Sequence, residues 1–311
     1  MQKEQLLACH ERITPFIHRT AVLSSTLLNE VAGTDLFFKC ENFQKGGAYK
    51  MRGATNAIML LSPEQRSRGV VTHSSGNFAQ ALALAAKSLG VTAHIVMPST
   101  APEVKKEAVL GYGGQVTICK PTLAARAQAA KAIEEKIGAQ FLHPSNDYQV
   151  IIGQGTAALE LLQDYPNLDR IVAPIGGGGL IAGTALAAHY FGIDCNVIGG
   201  EPFEADDAYR SLKSGKIEGN DTVNTVADGL KTQLGDQNFP IIQEHVNQII
   251  RVTEEEIVAA MKLIWERMKI IVEPSSAVAL AAVLKAPSDF KGKQIGIIIS
   301  GGNVDVHQLP F

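Results

Sequence analysis

Short runs of β-branched and aliphatic residues alternate with helix-patterned stretches along most of the chain, and this alternation restricts the fold more than any other property. Strands are expected at residues 35–40, 69–72, 91–97, 115–119, 140–143, 170–174, 196–199 and 294–299. Helical patterns fall between and beside them, at 53–61, 77–89, 101–110, 121–137, 154–162, 180–191, 254–269 and 276–284. Strands separated by helices cannot pair as hairpins. They cross over to lie parallel, with helices covering both sheet faces. An α/β fold follows. Neither a repeat nor a low-complexity linker interrupts the pattern, so a second domain must be inserted into the first without a flexible joint.

Composition removes several classes of function. The chain has 311 residues, 46% hydrophobic and 19% charged, as expected for one large or two modest globular domains. Its formal charge of −3 comes without a basic block or acidic tail, so neither nucleic acid nor an anionic membrane is an expected partner. No apolar run reaches the length of a membrane span. The opening Met1-Gln-Lys-Glu-Gln does not read as a secretory signal. Cys9, Cys40, Cys119 and Cys195 are scattered without CxxC spacing, which suits reduced thiols in a cytoplasmic protein.

Five segments carry candidate chemistry. Lys50 follows the glycine-rich turn Gln44-Lys-Gly-Gly-Ala-Tyr49 and opens a helix. Burial and nearby cations would lower its pKa enough for a Schiff base with a bound carbonyl cofactor, although a lone lysine is ordinarily a solvated one. Thr72-His-Ser-Ser-Gly-Asn77 joins a strand to a helix, where hydroxyls and free N–H groups favour an anion. A simple helix cap by Ser75 or Asn77 uses the same donors, and this motif alone leaves the two readings level. In Pro174-Ile-Gly-Gly-Gly-Gly179, four glycines at another strand-to-helix junction let backbone approach a phosphate closely. Gly177-x-Gly179-x-x-Ala182 also fits a dinucleotide fingerprint, with Glu201 about 20 residues on, so a nicotinamide-dependent dehydrogenase competes at this point. Glu201 and Asp207 bracket the Ala205 carbonyl in an acidic loop that would suit Mg²⁺, Mn²⁺ or Ca²⁺, or would simply be a solvated turn. Finally, Ser300 ends an aliphatic strand and precedes Gly301-Gly302, where ligands bind in open α/β sheets.

Taken in order, these segments resemble the β-family (fold type II) pyridoxal-phosphate enzymes, in the serine/threonine dehydratase and serine racemase branch, with the racemases nearest. The resemblance extends from Phe16 to Asp305. It includes Phe38-Lys-Cys-Glu-Asn-Phe-Gln-Lys45, His143-Pro144, Gly153-Gln-Gly-Thr156, Ala227-Asp-Gly-Leu-Lys231, Trp265-Glu-Arg-Met-Lys269 and Glu273-Pro-Ser-Ser276. The dehydrogenase reading leaves Lys50, Ser75 and Ser300 without work. The resemblance implies two open, twisted, mostly parallel sheets flanked by helices: a large cofactor-binding domain of residues 1–60 and 147–311, and a small substrate-clamping domain of 61–146. It implies pyridoxal 5′-phosphate on Lys50 beside Tyr49, its phosphate on Gly176, Gly177, Gly178, Gly179 and Leu180, its phenolic oxygen on Asn77 and its ring nitrogen on Ser300. Ser74, Ser75 and Gly76 would take the substrate carboxylate, with Arg126 and Ser145 also near the substrate. Glu201, the Ala205 carbonyl and Asp207 would hold a divalent cation, and Lys50 and Ser75 would work on opposite faces of Cα.

The expected activity is elimination of water and ammonia from a small hydroxy amino acid such as L-serine or L-threonine, with serine racemisation or 3-hydroxyaspartate dehydration as alternatives. A non-catalytic binding protein is the reading from another class. A homodimer is expected from the family. Phe78, Tyr49, Ser145, Gly46 and Ala48 depart from its usual residues, which touches substrate preference and nucleotide activation rather than the core chemistry. The chain ends soon after Asp305, so no isoleucine-binding regulatory domain is expected. Histidines are expected only to pack or hydrogen-bond near the site.

Overall fold

The computed structural model describes residues 2–311. The chain starts with α1 (Lys3–Ile13), β1 (Val22–Leu23), α2 (Thr26–Ala32), β2 (Asp35–Cys40), α3 (Lys50–Met59) and α4 (Pro63–Arg68). There follow β3 (Val70–His73), α5 (Asn77–Ser88), β4 (Ala93–Pro98), α6 (Glu103–Gly111), β5 (Gln115–Cys119), α7 (Leu123–Ile137) and β6 (Gln140–Phe141). The second half runs α8 (Tyr148–Asp164), β7 (Arg170–Pro174), α9 (Gly179–Phe191), β8 (Asn196–Pro202), α10 (Asp207–Ser214), α11 (Phe239–His245) and β9 (Gln248–Val252). It closes with α12 (Glu254–Met268), α13 (Pro274–Lys285), α14 (Pro287–Phe290) and β10 (Gln294–Ile299).

These strands form two sheets. One has six strands in the order β1-β2-β10-β7-β8-β9, the other four in the order β5-β4-β3-β6. Every described pairing is parallel except β1 with β2. Strands buried on both faces need apolar residues without alternation, and in β10 every residue after Gln294 is buried. The four-stranded sheet lies wholly between β2 and β7 in sequence. The boundaries expected from sequence fall at the C-cap of α3 (Leu60) and at the N-cap of α8 (Asp147). Among the described residues, no helix is long and apolar enough to cross a membrane.

Helix α8 lies against both α3 and α9 at glycine contacts. A methyl group at Gly153 would sit 2.6 Å from the Gly53 Cα, and one at Gly155 would sit 2.6 Å from the Gly183 carbonyl oxygen. A buried charge cluster fastens the same region. Arg52, fully buried on α3, donates to both carboxylate oxygens of Glu41 (2.7 and 2.8 Å) and both of Glu160 (2.9 and 2.8 Å). Lys39 adds a second cation, 2.7 Å from Glu160 Oε2. Two cations against two anions leave the cluster neutral, the condition under which charge survives in an apolar interior. Helix α3 is thereby fixed two residues beyond Lys50.

Candidate active site

Lys50 is the first residue of α3. The turn before it uses Gly46 and Gly47 in succession at φ of +70° and +72°, a left-handed pair that side chains resist. This turn is stitched to the end of β10: Tyr49 N–H donates to the Ser300 carbonyl (3.0 Å) and Gly302 N–H to the Gly47 carbonyl (2.9 Å). The ammonium donates to the Pro144 carbonyl at 2.7 Å and lies 4.9 Å from the Tyr49 ring centre and 5.9 Å from that of Phe78. Burial pulls its pKa down to about 7, against a partial upward pull from Glu273. A lysine so perturbed is half deprotonated near neutrality.

The glycine run leads from β7 into α9. Gly178 is the N-cap at φ +79°, and the first helical bond runs from Ala182 N–H to the Gly178 carbonyl (3.0 Å). The N–H groups that precede it have no intrahelical acceptor, which makes the junction an anion site. None of the four positions has room for a side chain. A methyl group would lie 2.7 Å from Leu230 Cα at Gly176, 2.4 Å from Ser145 Oγ at Gly177, 2.7 Å from Asn238 Oδ1 at Gly178 and 2.6 Å from Gln154 Oε1 at Gly179. Gln154 is fully buried and its Oε1 has no partner, which leaves a polar position open beside the loop. Close-packed glycines and the free N–H groups of a helix N-terminus are what a phosphate-bearing cofactor would need here. The residues present fit it.

Ser300 is buried at the carboxyl end of β10, its Oγ 3.0 Å from Ser276 Oγ, and Ser276 also donates to the Gly301 carbonyl at 2.6 Å. Asn77 opens α5. Its Nδ2 donates to Glu273 Oε1 (2.8 Å) and its Oδ1 accepts from Asn303 Nδ2 (3.0 Å). Gly76, rather than Ser75 or Asn77, is the N-cap of α5 and makes no side-chain cap bond, so the simple capping reading fails. Ser74, Ser75 and Gly76 form the half-buried loop between β3 and α5. Burial, with Asp228 second, raises the Glu273 carboxyl to about 8. Glu273 and Asn303 do not stand out as site residues in the sequence; the only signals are Glu273-Pro-Ser-Ser276 and the asparagine after Gly301-Gly302.

Ser145 is buried against the glycine loop. His143 Nδ1 accepts from the Ser145 and Asn146 N–H groups (3.2 and 2.8 Å), and burial holds its pKa down at about 4. It is a neutral organiser of the turn carrying Pro144. Arg126, half-buried on α7, has a buried Nε without a partner and lowers the pKa of His73 next to the Ser74 loop, though less than burial does.

The acidic loop is separate from these groups. Glu201 and Asp207 are both buried. Glu201 accepts from the Ala208 and Tyr209 N–H groups (2.9 and 2.8 Å), and Asp207 from Asn220 Nδ2 (2.7 Å) and Leu234 N–H (3.1 Å). Burial raises both pKa values, Asp207 to about 6, and the two carboxylates repel one another. A cation between them would reverse that penalty. Among the described residues there is no group of three or more His, Cys, Asp or Glu side chains suited to a metal, so the Ala205 carbonyl and water would have to complete such a site.

Residues 13–301 match the family described as "Pyridoxal-phosphate dependent enzyme", and the chain belongs to it. It is 50% identical over 308 residues to the β-hydroxyaspartate dehydratase of Paracoccus denitrificans, covering 99% of this chain and 98% of that protein. It is 52% identical to the serine racemase of Dictyostelium discoideum over 96% of this chain and 94% of that protein. The crystal structure of that racemase superposes with a TM-score of 0.93, covering 97% and 98% of the two chains. The crystal structure of a T.th. threonine deaminase, 40% identical, gives a TM-score of 0.93 over 98% and 99%. The two-sheet α/β architecture and the pyridoxal-phosphate dependence expected from the sequence accordingly hold, as does membership of the serine racemase and dehydratase branch.

Proposed function

We propose that this chain eliminates water from a small β-hydroxy amino acid, L-serine and L-threonine being the first candidates, and releases an enamine that water hydrolyses to a 2-keto acid and ammonia. The observation that carries the reading is the buried Lys50 amine, its pKa lowered to about 7. It is held on the Pro144 carbonyl next to Ser145, which packs against the glycine loop, while the adjoining Tyr49 N–H donates to the Ser300 carbonyl. Pyridoxal phosphate, when bound, supplies a ring that withdraws electrons from Cα and so acidifies its proton. Lys50 would hold it, with Gly176, Gly177, Gly178, Gly179 and Leu180 on its phosphate, Asn77 on its phenolic oxygen and Ser300 on its ring nitrogen. The Ser300 hydroxyl is too weak an acid to protonate that nitrogen, which favours loss of a β-substituent over transamination. Ser74, Ser75 and Gly76 orient the substrate carboxylate. Lys50, once its amine is free, takes the Cα proton and is then able to return one to the departing hydroxyl.

Two observations favour companion reactions. Ser75 lies on the opposite sheet's loop from Lys50, and a second proton-transfer group facing Cα from the other side is what racemisation requires. Arg126 carries a buried, unpaired Nε that would suit a second substrate carboxylate, supporting 3-hydroxyaspartate as a further substrate. Glu201, Ala205 and Asp207 would hold Mg²⁺, Mn²⁺ or Ca²⁺. The test is a screen of L-serine, L-threonine, D-serine and both 3-hydroxyaspartate diastereomers with the cofactor-loaded protein, with and without Mg²⁺. Keto acid and ammonia in equal amounts from at least one substrate are expected, with Ser75→Ala losing racemisation and keeping elimination from the L-isomer. Cofactor-loaded protein that yields keto acid from none of them would refute the proposal.

A further inference from the structure

We propose that Asn238 is a positioning residue for the cofactor phosphate: its side-chain amide locks the peptide plane that aims the Gly178 N–H and ties the glycine loop to the turn on which Lys50 rests. The inference rests on the cofactor reading above and adds a residue to it.

Asn238 lies far along the chain from the motifs that define the site, yet it is fully buried beside them. Its Nδ2 donates to two backbone carbonyls, Gly177 at 2.9 Å and Ser145 at 3.1 Å, while its Oδ1 accepts from Gly235 N–H at 3.1 Å. It occupies the N-cap of α11, where an asparagine ordinarily accepts from the first turn of its own helix. Here it makes no such bond. The helix forgoes its cap, and the side chain is committed to the loop.

The geometry of the peptide bond gives those contacts their consequence. In a trans peptide the carbonyl and the next N–H point in opposite directions. Holding the Gly177 carbonyl on Asn238 therefore turns the Gly178 N–H away from Asn238. The same logic applies at Ser145, whose fixed carbonyl sends the Asn146 N–H to His143 Nδ1 at 2.8 Å. Between His143 and Ser145 lies Pro144, whose carbonyl receives Lys50 Nζ at 2.7 Å and Gln154 Nε2 at 3.2 Å. One amide thus sets an N–H of the anion cradle and the perch of the lysine together. A side chain with a single donor could hold only one of the two carbonyls, and a carboxylate could hold neither.

The experiment compares stripped wild-type protein with Asn238→Ala and Asn238→Asp, each titrated with pyridoxal phosphate and, separately, with pyridoxal, which lacks the phosphate. Binding is followed by the absorbance of the lysine-bound chromophore. Loss of an oriented donor set should weaken pyridoxal phosphate by about tenfold in Asn238→Ala. Asn238→Asp should lose more, because it adds a negative charge beside the loop. Pyridoxal, which uses the Lys50 perch but not the phosphate donors, should weaken by clearly less in both variants. Its residual binding also reports an intact pocket, and if Asn238→Ala does not fold, the isosteric Asn238→Asp carries the test. Equal weakening of both compounds, or of neither, overturns the inference while the cofactor reading stands. A wild-type protein that binds neither compound overturns both.

Discussion

At the scale of single residues, the decisive quantity is the proton on Lys50. A lysine at its ordinary pKa of 10.5 is almost wholly protonated at neutral pH and can neither attack an aldehyde nor take a proton. Burial lowers Lys50 to about 7, and the upward pull of Glu273, itself raised to about 8, offsets only part of that fall. The reactive form is the neutral amine, so its fraction rises with pH through about 7 and then saturates. Uptake of pyridoxal phosphate by stripped protein should therefore accelerate between about pH 6 and 8 and level off above, as followed by stopped-flow absorbance. A rate still climbing tenfold per pH unit toward 10 would contradict the lowered pKa. Lys50, Ser75, Asn77, the glycine quartet and Ser300 stand out as candidates in the sequence because each sits in a short local motif. Glu273 and Asn238 do not. Asn77 meets Glu273 across 196 positions, and Asn238 reaches Gly177 across 61. No local pattern encodes such a meeting.

At the scale of elements, α8 is the spine that sets the distance between Lys50 on α3 and the glycine loop at the head of α9. Its glycines work by absence, since the backbones meet where side chains would stand. Gly153→Ala should force α3 and α8 apart and cost about 1–3 kcal/mol by overpacking, read as a lowered midpoint in urea unfolding with an unchanged slope. A variant as stable as wild type would show that the contact can relax. Gly153-Gln-Gly-Thr156 stands out in the sequence only as a resemblance, and the helix contact supplies its physical reason. Strand positions are legible because buried parallel strands announce themselves as aliphatic runs. Several elements with only three to five apolar residues are not, among them α1, α2, α10, α11 and the five-residue strand β9. Helix α8 begins at Tyr148 rather than at 154 because Asp147 caps it, accepting from the N–H groups of Gln149 and Val150. A single capping aspartate is a faint signal beside the stronger apolar pattern downstream.

At the scale of the whole molecule, the site draws on both sheets. Ser75 and Asn77 follow β3 of the four-stranded sheet, while Ser300 and the glycine loop follow β10 and β7 of the six-stranded one. An ion pair between Lys105 on α6 and Asp228 links the two sides. The acidic loop couples in from the far side, because Asp207 accepts from the Leu234 N–H and Leu234 packs against Gly178. Mg²⁺ should therefore raise the thermal midpoint by a few degrees, a gain that Asp207→Asn removes; no shift in wild type would argue against a cation at that loop. The chemistry as a whole depends on one covalent attachment. Borohydride reduction of the freshly purified, cofactor-loaded protein, followed by peptide mass spectrometry, should find the pyridoxyl phosphate group on the side-chain nitrogen of Lys50. Recovery of that peptide unmodified, or of the label on another lysine, would contradict it.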